Sequence, residues 1–439
     1  MRIAVIGLGK LGAPLAAVFA SSGHTVIGVD LNPNPVAALN AGRAPCTEPG
    51  LQHHIDLGRA RLRATSDFAE AIAGSDISFV IVPTPSDPDG RFSNRFVLDA
   101  VRRIGAALRG GRRYHVVNIT STVMPGATGG AIRATLEAAS GRVVGGDLGL
   151  TYNPEFIALG SVVHDLLHPD MLLIGESDAQ AGDVVQAVYQ ATIAGRPAVR
   201  RMGWVNAELT KLAVNTFVTS KISYANMLAE LCEQLPGADC DVVTAALGDD
   251  SRIGGKYLRA ALGYGGPCFP RDNVALAALA RSVGQRADVA EATDTVNRRQ
   301  VERIAGLAHR LAGPAPARIA VLGMAYKPDT DVVEQSQGVM IAAALADAGH
   351  AVMIADPCAL AAASAVLGER VTPFGDAAAA IATASCVVIA TPAAAYCALP
   401  ARAFATGPRR VVLDCWRVLP AEIGAVADVV YLGVGPSLV

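Results

Sequence analysis

Cys268 stands in the run Gly263-Tyr264-Gly265-Gly266-Pro267-Cys268-Phe269-Pro270-Arg271-Asp272, and none of the other seven cysteines has such a setting. Three glycines suit a loop that lies close against a ligand. If Pro270 starts a helix, Asp272 sits one turn from the thiol. The spacing fits a reactive nucleophile with a nearby carboxylate, or an ordinary buried cysteine acting as a small hydrophobe. Lys211 and Asn215 are four apart in a helical pattern and share one face. They read as a solvated stripe, or as a cation and an amide aimed at a developing oxyanion. Glu155, in Tyr152-Asn153-Pro154-Glu155-Phe156, is a base or merely a turn acid. His164 and His168 are also four apart but have no third ligand at sensible spacing, so no metal is expected. A serine nucleophile elbow is missing as well.

The chain opens with a second chemical signature. Gly7-Leu8-Gly9-Lys10-Leu11-Gly12 follows a strand-like run and opens a helix-like one. Its glycines permit a tight turn, close approach of a pyrophosphate and helix packing. Asp30 ends the next strand, where a carboxylate can accept ribose hydroxyls. Leu31 and Asn32 after it supply no arginine for a 2′-phosphate, so NAD is expected rather than NADP. A nicotinamide site combined with a nucleophilic thiol suggests an oxidation that passes beyond an aldehyde to an acid.

The elements that must position these groups repeat. Arg2-Ile3-Ala4-Val5-Ile6-Gly7 returns as Arg318-Ile319-Ala320-Val321-Leu322-Gly323, and Gly23 to Asp30 returns as Gly349 to Asp356. Ile81-Val82-Pro83-Thr84-Pro85 is echoed by Ile389-Ala390-Thr391-Pro392. Each series reads as buried strand, helix, strand ending in an acid, helix, strand, the pattern of a parallel sheet. The fold class is therefore α/β: two Rossmann-like parallel-sheet domains joined by a central helical domain. Trp204 to Leu235 reads as one long helix or a broken one, and further helical patterns run over 239–247 and 273–311. Gly313-Pro314-Ala315-Pro316 reads as a linker. The expected domains are 1–200 for NAD, 201–312 for the helices and the cysteine loop, and 313–439 for the second sheet. The helical middle is the candidate dimer interface.

Composition limits the alternatives. At 439 residues the chain exceeds the usual size of a single core. Mean hydropathy is +0.36, yet no apolar run reaches the roughly 18 residues of a membrane span. The amino-terminal run turns into a glycine loop too early for a signal peptide. With 37 Lys+Arg against 39 Asp+Glu and no basic block, a nucleic-acid footprint is missing. The cysteines include no Cys-x-x-Cys, and reduced thiols in the cytoplasm are expected.

Taken together, the motifs resemble the UDP-glucose/GDP-mannose dehydrogenase family over essentially the whole chain. Beside the glycine loop stand Val82-Pro83-Thr84-Pro85, Ser121-Thr122-Val123, Asn153-Pro154-Glu155-Phe156, the run from Glu208 to Asn215, Ser251-Arg252-Ile253-Gly254, the Cys268 loop and Leu322 to Pro328. The resemblance implies an amino-terminal NAD domain, a carboxy-terminal sugar-nucleotide domain and a dimer built on the central helices. It implies oxidation of a hexose at C6 twice, through a thiohemiacetal and thioester on Cys268, with UDP-glucose the expected substrate; the alternatives are GDP-mannose, TDP-glucose or a UDP-N-acetylhexosamine, or a catalytically weak protein that binds a nucleotide sugar. Lys211 and Asn215 would stabilise oxyanions, Asp272 with Thr122 would position or activate water, and Glu155 would assist proton transfer. Gly7, Gly9, Leu11, Gly12, Asp30, Thr84, Thr122 and Glu155 would bind the cofactor. Phe156, Lys211, Asn215, Tyr257, Tyr264, Gly265 and Lys327 would hold the sugar nucleotide, with Arg252 contributed by the partner subunit.

Several positions depart from the family pattern. Leu159 stands where a second glutamate is frequent, Pro35 where a lysine follows the Asp30 strand, and Lys10 where an aromatic is common. Glu334, flanked by Gln335 and Ser336, replaces an arginine, and Trp416 replaces another. These changes bear on NAD affinity and on the identity of the sugar nucleotide. They leave the primary catalytic set intact.

Overall fold

Strand β1 (Arg2–Ile6) buries every residue after Arg2, as an apolar run does when helices cover both faces of a parallel sheet. In this computed structural model, residues 1–405 and 409–437 are described. Two units can be distinguished, Met1–Ala213 and Val214–Val439. The first contains an eight-stranded sheet of β1, β2 (Thr25–Val29), β3 (Leu62–Thr65), β4 (Ile77–Val80), β5 (His115–Ile119), β6 (Leu148–Tyr152), β7 (Met171–Glu176) and β8 (Ala198–Met202). The spatial order is β3-β2-β1-β4-β5-β6-β7-β8, and only the β6–β7 pair is antiparallel. Strand order reverses between β1 and β4, which makes a ligand crevice at the carboxyl ends of those strands.

The second unit carries a six-stranded sheet of β9 (Arg318–Leu322), β10 (Ala351–Ala355), β11 (Val371–Pro373), β12 (Cys386–Ile389), β13 (Arg410–Asp414) and β14 (Val429–Gly433). Its order is β11-β10-β9-β12-β13-β14, parallel throughout. The internal echo is thus two sheets with the same strand crossover, each with apolar cores on its two faces.

Among the helices, α1 (Gly12–Ser21) follows β1 and α2 (Ala179–Gln190) follows β7. The central helical region comprises α3 (Trp204–Cys232), α4 (Cys240–Asp249), α5 (Phe269–Ser282) and α6 (Asp288–Ala312); α7 (Gln337–Asp347) follows β9. Helix α3 is unbroken over its 29 residues. The pattern expected over 273–311 is two helices, not one. Gly284 at φ +71° turns the chain between them, a conformation that costs glycine little. Among the described residues, no helix is long and apolar enough to cross a membrane.

Candidate active site

The glycine loop divides its labour. Gly7 has φ +99°, and a Cβ there would meet the Ile81 carbonyl oxygen at 2.5 Å; one on Gly12 would meet the Gly7 carbonyl oxygen at 1.9 Å. These two glycines allow strand, loop and helix to touch. A Cβ on Gly9 would meet nothing within 4 Å, so that side of the loop is open. Leu11 caps α1, whose first turn carries no acid, leaving its amide end suited to an anion. Asp30 accepts from Leu8 N at 2.7 Å and Asn32 N at 2.8 Å, which holds the carboxylate against the loop with lone pairs to spare.

A cleft of about 630 Å³ opens here, lined by Leu8, Gly9, Asp30, Asn32, Lys10 and Arg43, among others. The open face over Gly9, the helix end and the acid fit a dinucleotide. Pro35 also lines the cleft, in the position without the expected lysine, and the cations there are Lys10 and Arg43. Arg43 was not singled out in the sequence, because it lies outside every motif and reaches the cleft only through the turn after Asn40. Nearby, Ser121 Oγ accepts from Val82 N at 2.9 Å and donates to Val82 O at 2.7 Å. This ties the segment leading to buried Thr84 to the end of β5, just before Thr122.

A second cluster in the same unit surrounds Glu155. Lys211, on α3 and only 7% exposed, donates from Nζ to the Glu155 carbonyl oxygen at 2.7 Å and lies 4.7 Å from the Phe156 ring centroid. That excludes a solvated stripe. Tyr189 donates its hydroxyl to Glu155 Oε1. Crowding by protein removes water from the Glu155 carboxyl and pushes it up to about 7, against the opposing pull of Tyr189 and Lys211. Glu208, wholly buried, accepts from Gly126 N at 2.6 Å and Thr128 N at 2.8 Å, fixing the loop that follows Thr122.

In the second unit, Cys268 is exposed and occupies the cap position of α5, so the buried-hydrophobe reading fails. Its carbonyl accepts from Asp272 N at 2.9 Å, closing the turn that the spacing suggested. Asp272 is 1% exposed and accepts from Asn215 Nδ2 at 2.6 Å. Buried amide and carboxylate therefore lie beneath the helix end that presents the thiol.

The glycines of this loop serve protein packing rather than an open ligand face. A Cβ on Gly263 would meet Asn297 Oδ1 at 2.2 Å, one on Gly265 the Gln335 carbonyl at 2.3 Å, and one on Gly266 the Tyr326 ring at 2.5 Å. Gly266 N donates to the Glu334 carbonyl at 3.0 Å. Thus Glu334, where an arginine was expected, holds the thiol loop by its backbone. Asn297 accepts from Tyr264 N at 2.7 Å and donates to Tyr264 O at 3.0 Å; Asn273 donates to Phe269 O at 3.0 Å. Neither asparagine was anticipated, since a buried amide in a helix has no local sequence signal.

Of the remaining sugar-nucleotide candidates, Tyr264 packs on the thiol turn: its ring stands edge-on to Phe269 with centroids 6.3 Å apart, and its hydroxyl accepts from Asn273 Nδ2 at 3.4 Å. Arg252 is exposed and paired with Asp250 at 2.6 Å; Tyr257, at φ +64°, is exposed too. Tyr264 is buried, and Lys327 follows β9 in a half-buried turn. Trp416 donates Nε1 to the Ala390 carbonyl at 2.9 Å, and neighbouring Arg417 pairs with Asp239 at 2.6 Å and Asp241 at 2.9 Å.

Residues 1–193, 205–299 and 320–421 match, respectively, the NAD binding, central and UDP binding domains of the UDP-glucose/GDP-mannose dehydrogenase family. A UDP-glucose 6-dehydrogenase of Haloferax volcanii is 39% identical over 362 residues, 82% of this chain and 84% of that protein. The chain belongs to this family.

A GDP-mannose 6-dehydrogenase of Pseudomonas putida is 34% identical, over 81% of each chain. The structure of a UDP-glucose dehydrogenase from Pyrobaculum islandicum superposes with a TM-score of 0.90 at 36% identity, covering 99% of this chain and 98% of that one. The cofactor of this nucleotide-sugar dehydrogenase is NAD, bound by the domain that carries the Gly7–Gly12 loop. Relatives named for glucose and for mannose both lie close, so membership leaves the sugar undecided.

Proposed function

We propose that this protein oxidises UDP-glucose to UDP-glucuronate at C6 with two equivalents of NAD. The observation that carries the reading is the exposed Cys268 thiol at the cap of α5, above the buried Asn215–Asp272 pair. When bound, NAD accepts a hydride. The first oxidation removes a hydride and a proton from the C6 alcohol and leaves an aldehyde. Cys268 sulfur adds to the aldehyde carbon, forming a thiohemiacetal; loss of a second hydride and a proton gives a thioester. Water then adds to the thioester carbon, the C–S bond breaks, and the carboxylate and thiol remain.

Lys211 and Asn215 are suited to stabilise oxyanions, each as a nearly buried donor. Asp272 with Thr122 would orient water, and Glu155, with its carboxyl raised to about 7, would take the proton of the attacking water near neutral pH. Phe156, Tyr257, Tyr264, Gly265 and Lys327 would hold the sugar nucleotide. We also assign a homodimer, with Arg252 acting on the partner's hexose. Phe217, Tyr224 and Leu231 are exposed at seven-residue spacing on α3, which favours a second copy of the helix as cover. A cytoplasmic setting suits the eight reduced thiols.

The test is a coupled NADH assay over UDP-glucose, TDP-glucose, GDP-mannose and UDP-N-acetyl sugars, with mass spectrometry of the products. Two NADH per UDP-glucose and a uronate product are expected. One NADH with no acid would sink the double oxidation, and turnover restricted to GDP-mannose would replace the sugar. Arg252→Ala should lose sugar turnover and recover it in mixed dimers with Cys268→Ser; absence of recovery would refute the shared site.

A further inference from the structure

Tyr189 belongs to none of the motifs above, yet it supplies the hydrogen bond on the Glu155 carboxyl. It lies near the end of α2 and is 2% exposed. Its ring stands edge-on to Phe19, with centroids 5.8 Å apart, and to Phe79, at 6.2 Å. The cage around the ring is apolar, so the hydroxyl is the one polar handle the side chain offers, and it donates to Glu155 Oε1. Burial and the adjacent carboxyl hold this phenol well above its ordinary range, so it remains a donor at any working pH. The other titratable group facing Glu155 is Lys211 on α3. Lysine Nζ reaches the Glu155 backbone oxygen at 2.7 Å, so it acts on the carboxyl by charge while Tyr189 acts by a direct bond.

We propose that Tyr189 is a positioning residue for Glu155: its hydroxyl holds the carboxyl in one orientation and stabilises the carboxylate, so that Glu155 can accept a proton from the water that hydrolyses the thioester. The proposal rests on the role assigned to Glu155 above. Its physical content is a competition. Desolvation favours the protonated acid and the phenol hydrogen bond favours the anion, so the balance lies near neutrality rather than above it. The rigid aromatic cage gives the hydroxyl one position from which to do this.

Tyr189→Phe keeps the ring and removes the bond. Difference infrared titration of the full-length protein follows the protonated carboxyl band, assigned by its loss in Glu155→Gln. The expected result is an upward displacement of the Glu155 titration by about one pH unit in Tyr189→Phe, since a lost bond to a charged group is worth that much. The acid limb of the kcat profile should move by the same amount. An unmoved infrared titration overturns the role of Tyr189. A displaced titration that kcat does not follow supports the hold of Tyr189 on the carboxyl and overturns instead the assignment of Glu155 to hydrolysis.

Discussion

After β1, Gly12 follows Gly7 by five positions and α1 begins at once; after β9, Gly338 follows Gly323 by fifteen, and α7 begins only at Gln337. Both second glycines do the same thing. A Cβ on Gly12 would meet Gly7 O at 1.9 Å, and one on Gly338 would meet Gly323 O at 2.0 Å. The acids differ. Asp30 accepts two backbone N–H groups and faces an open cleft. Asp356 accepts four, from Met324, Ala325, Cys358 and Ala359, at 2.6 to 2.9 Å. One sheet thus keeps its strand-end acid available to a nucleotide, while the other spends that acid on its own loop. The added length of the second loop brings Tyr326, Glu334 and Gln335 against the thiol loop. A shared strand pattern therefore sets where a loop starts; what the loop serves depends on its length and on what it packs against.

The comparison can be broken in four ways. Cys268→Ser should cut acid formation roughly a thousandfold or more, as loss of a nucleophile does. NAD affinity, measured by fluorescence titration, should hold; loss of both together would mean that the two loops are not separable.

The acids come next. Asp356→Ala strips four backbone donors of their acceptor and should cost about 2–4 kcal/mol in urea unfolding, with NAD affinity unchanged. Asp30→Ala should do the reverse, weakening NAD binding roughly tenfold to a hundredfold with a smaller stability loss. Equal stability losses would erase the distinction. Gly12→Ala and Gly338→Ala should each cost about 1–3 kcal/mol by overpacking, and only the first should weaken NAD binding.

The last test concerns Glu155: β6 leads into Asn153-Pro154-Glu155, whereas β14 leads into Val434-Gly435-Pro436. The folded carboxyl is raised from 4.5 to about 7. The folded state thus binds this proton more tightly than the unfolded chain. Its contribution to stability is full below about pH 4.5 and is lost as pH rises to about 7. Glu155→Gln lacks that dependence, so its melting temperature relative to the parent should climb by a few degrees between pH 5 and 8. A flat difference would mean that the carboxyl is not desolvated.

Much of this was legible beforehand. The Gly7–Gly12 loop, Asp30, the doubled strand series and the Cys268–Asp272 turn are local patterns, and local patterns follow from backbone geometry. Other residues left no trace. Asn297 clamps Tyr264 from 33 positions away, and Tyr189 reaches Glu155 from 34. Gly338 hid behind the longer loop, although it precedes Asp356 by 18 positions just as Gly12 precedes Asp30, and that spacing would have found it.

By itself the sequence determined the strand and helix series, the dinucleotide loop and the presence of a thiol with a carboxylate one helical turn on. Those are set within a few residues by φ/ψ limits, side-chain periodicity and capping. Only the tertiary structure decided that the glycines around Cys268 face protein, that Glu155 lies between a phenol and a lysine, and that Asp356 is consumed by its own loop. Such outcomes depend on distances between segments far apart in the chain, and packing sets those distances.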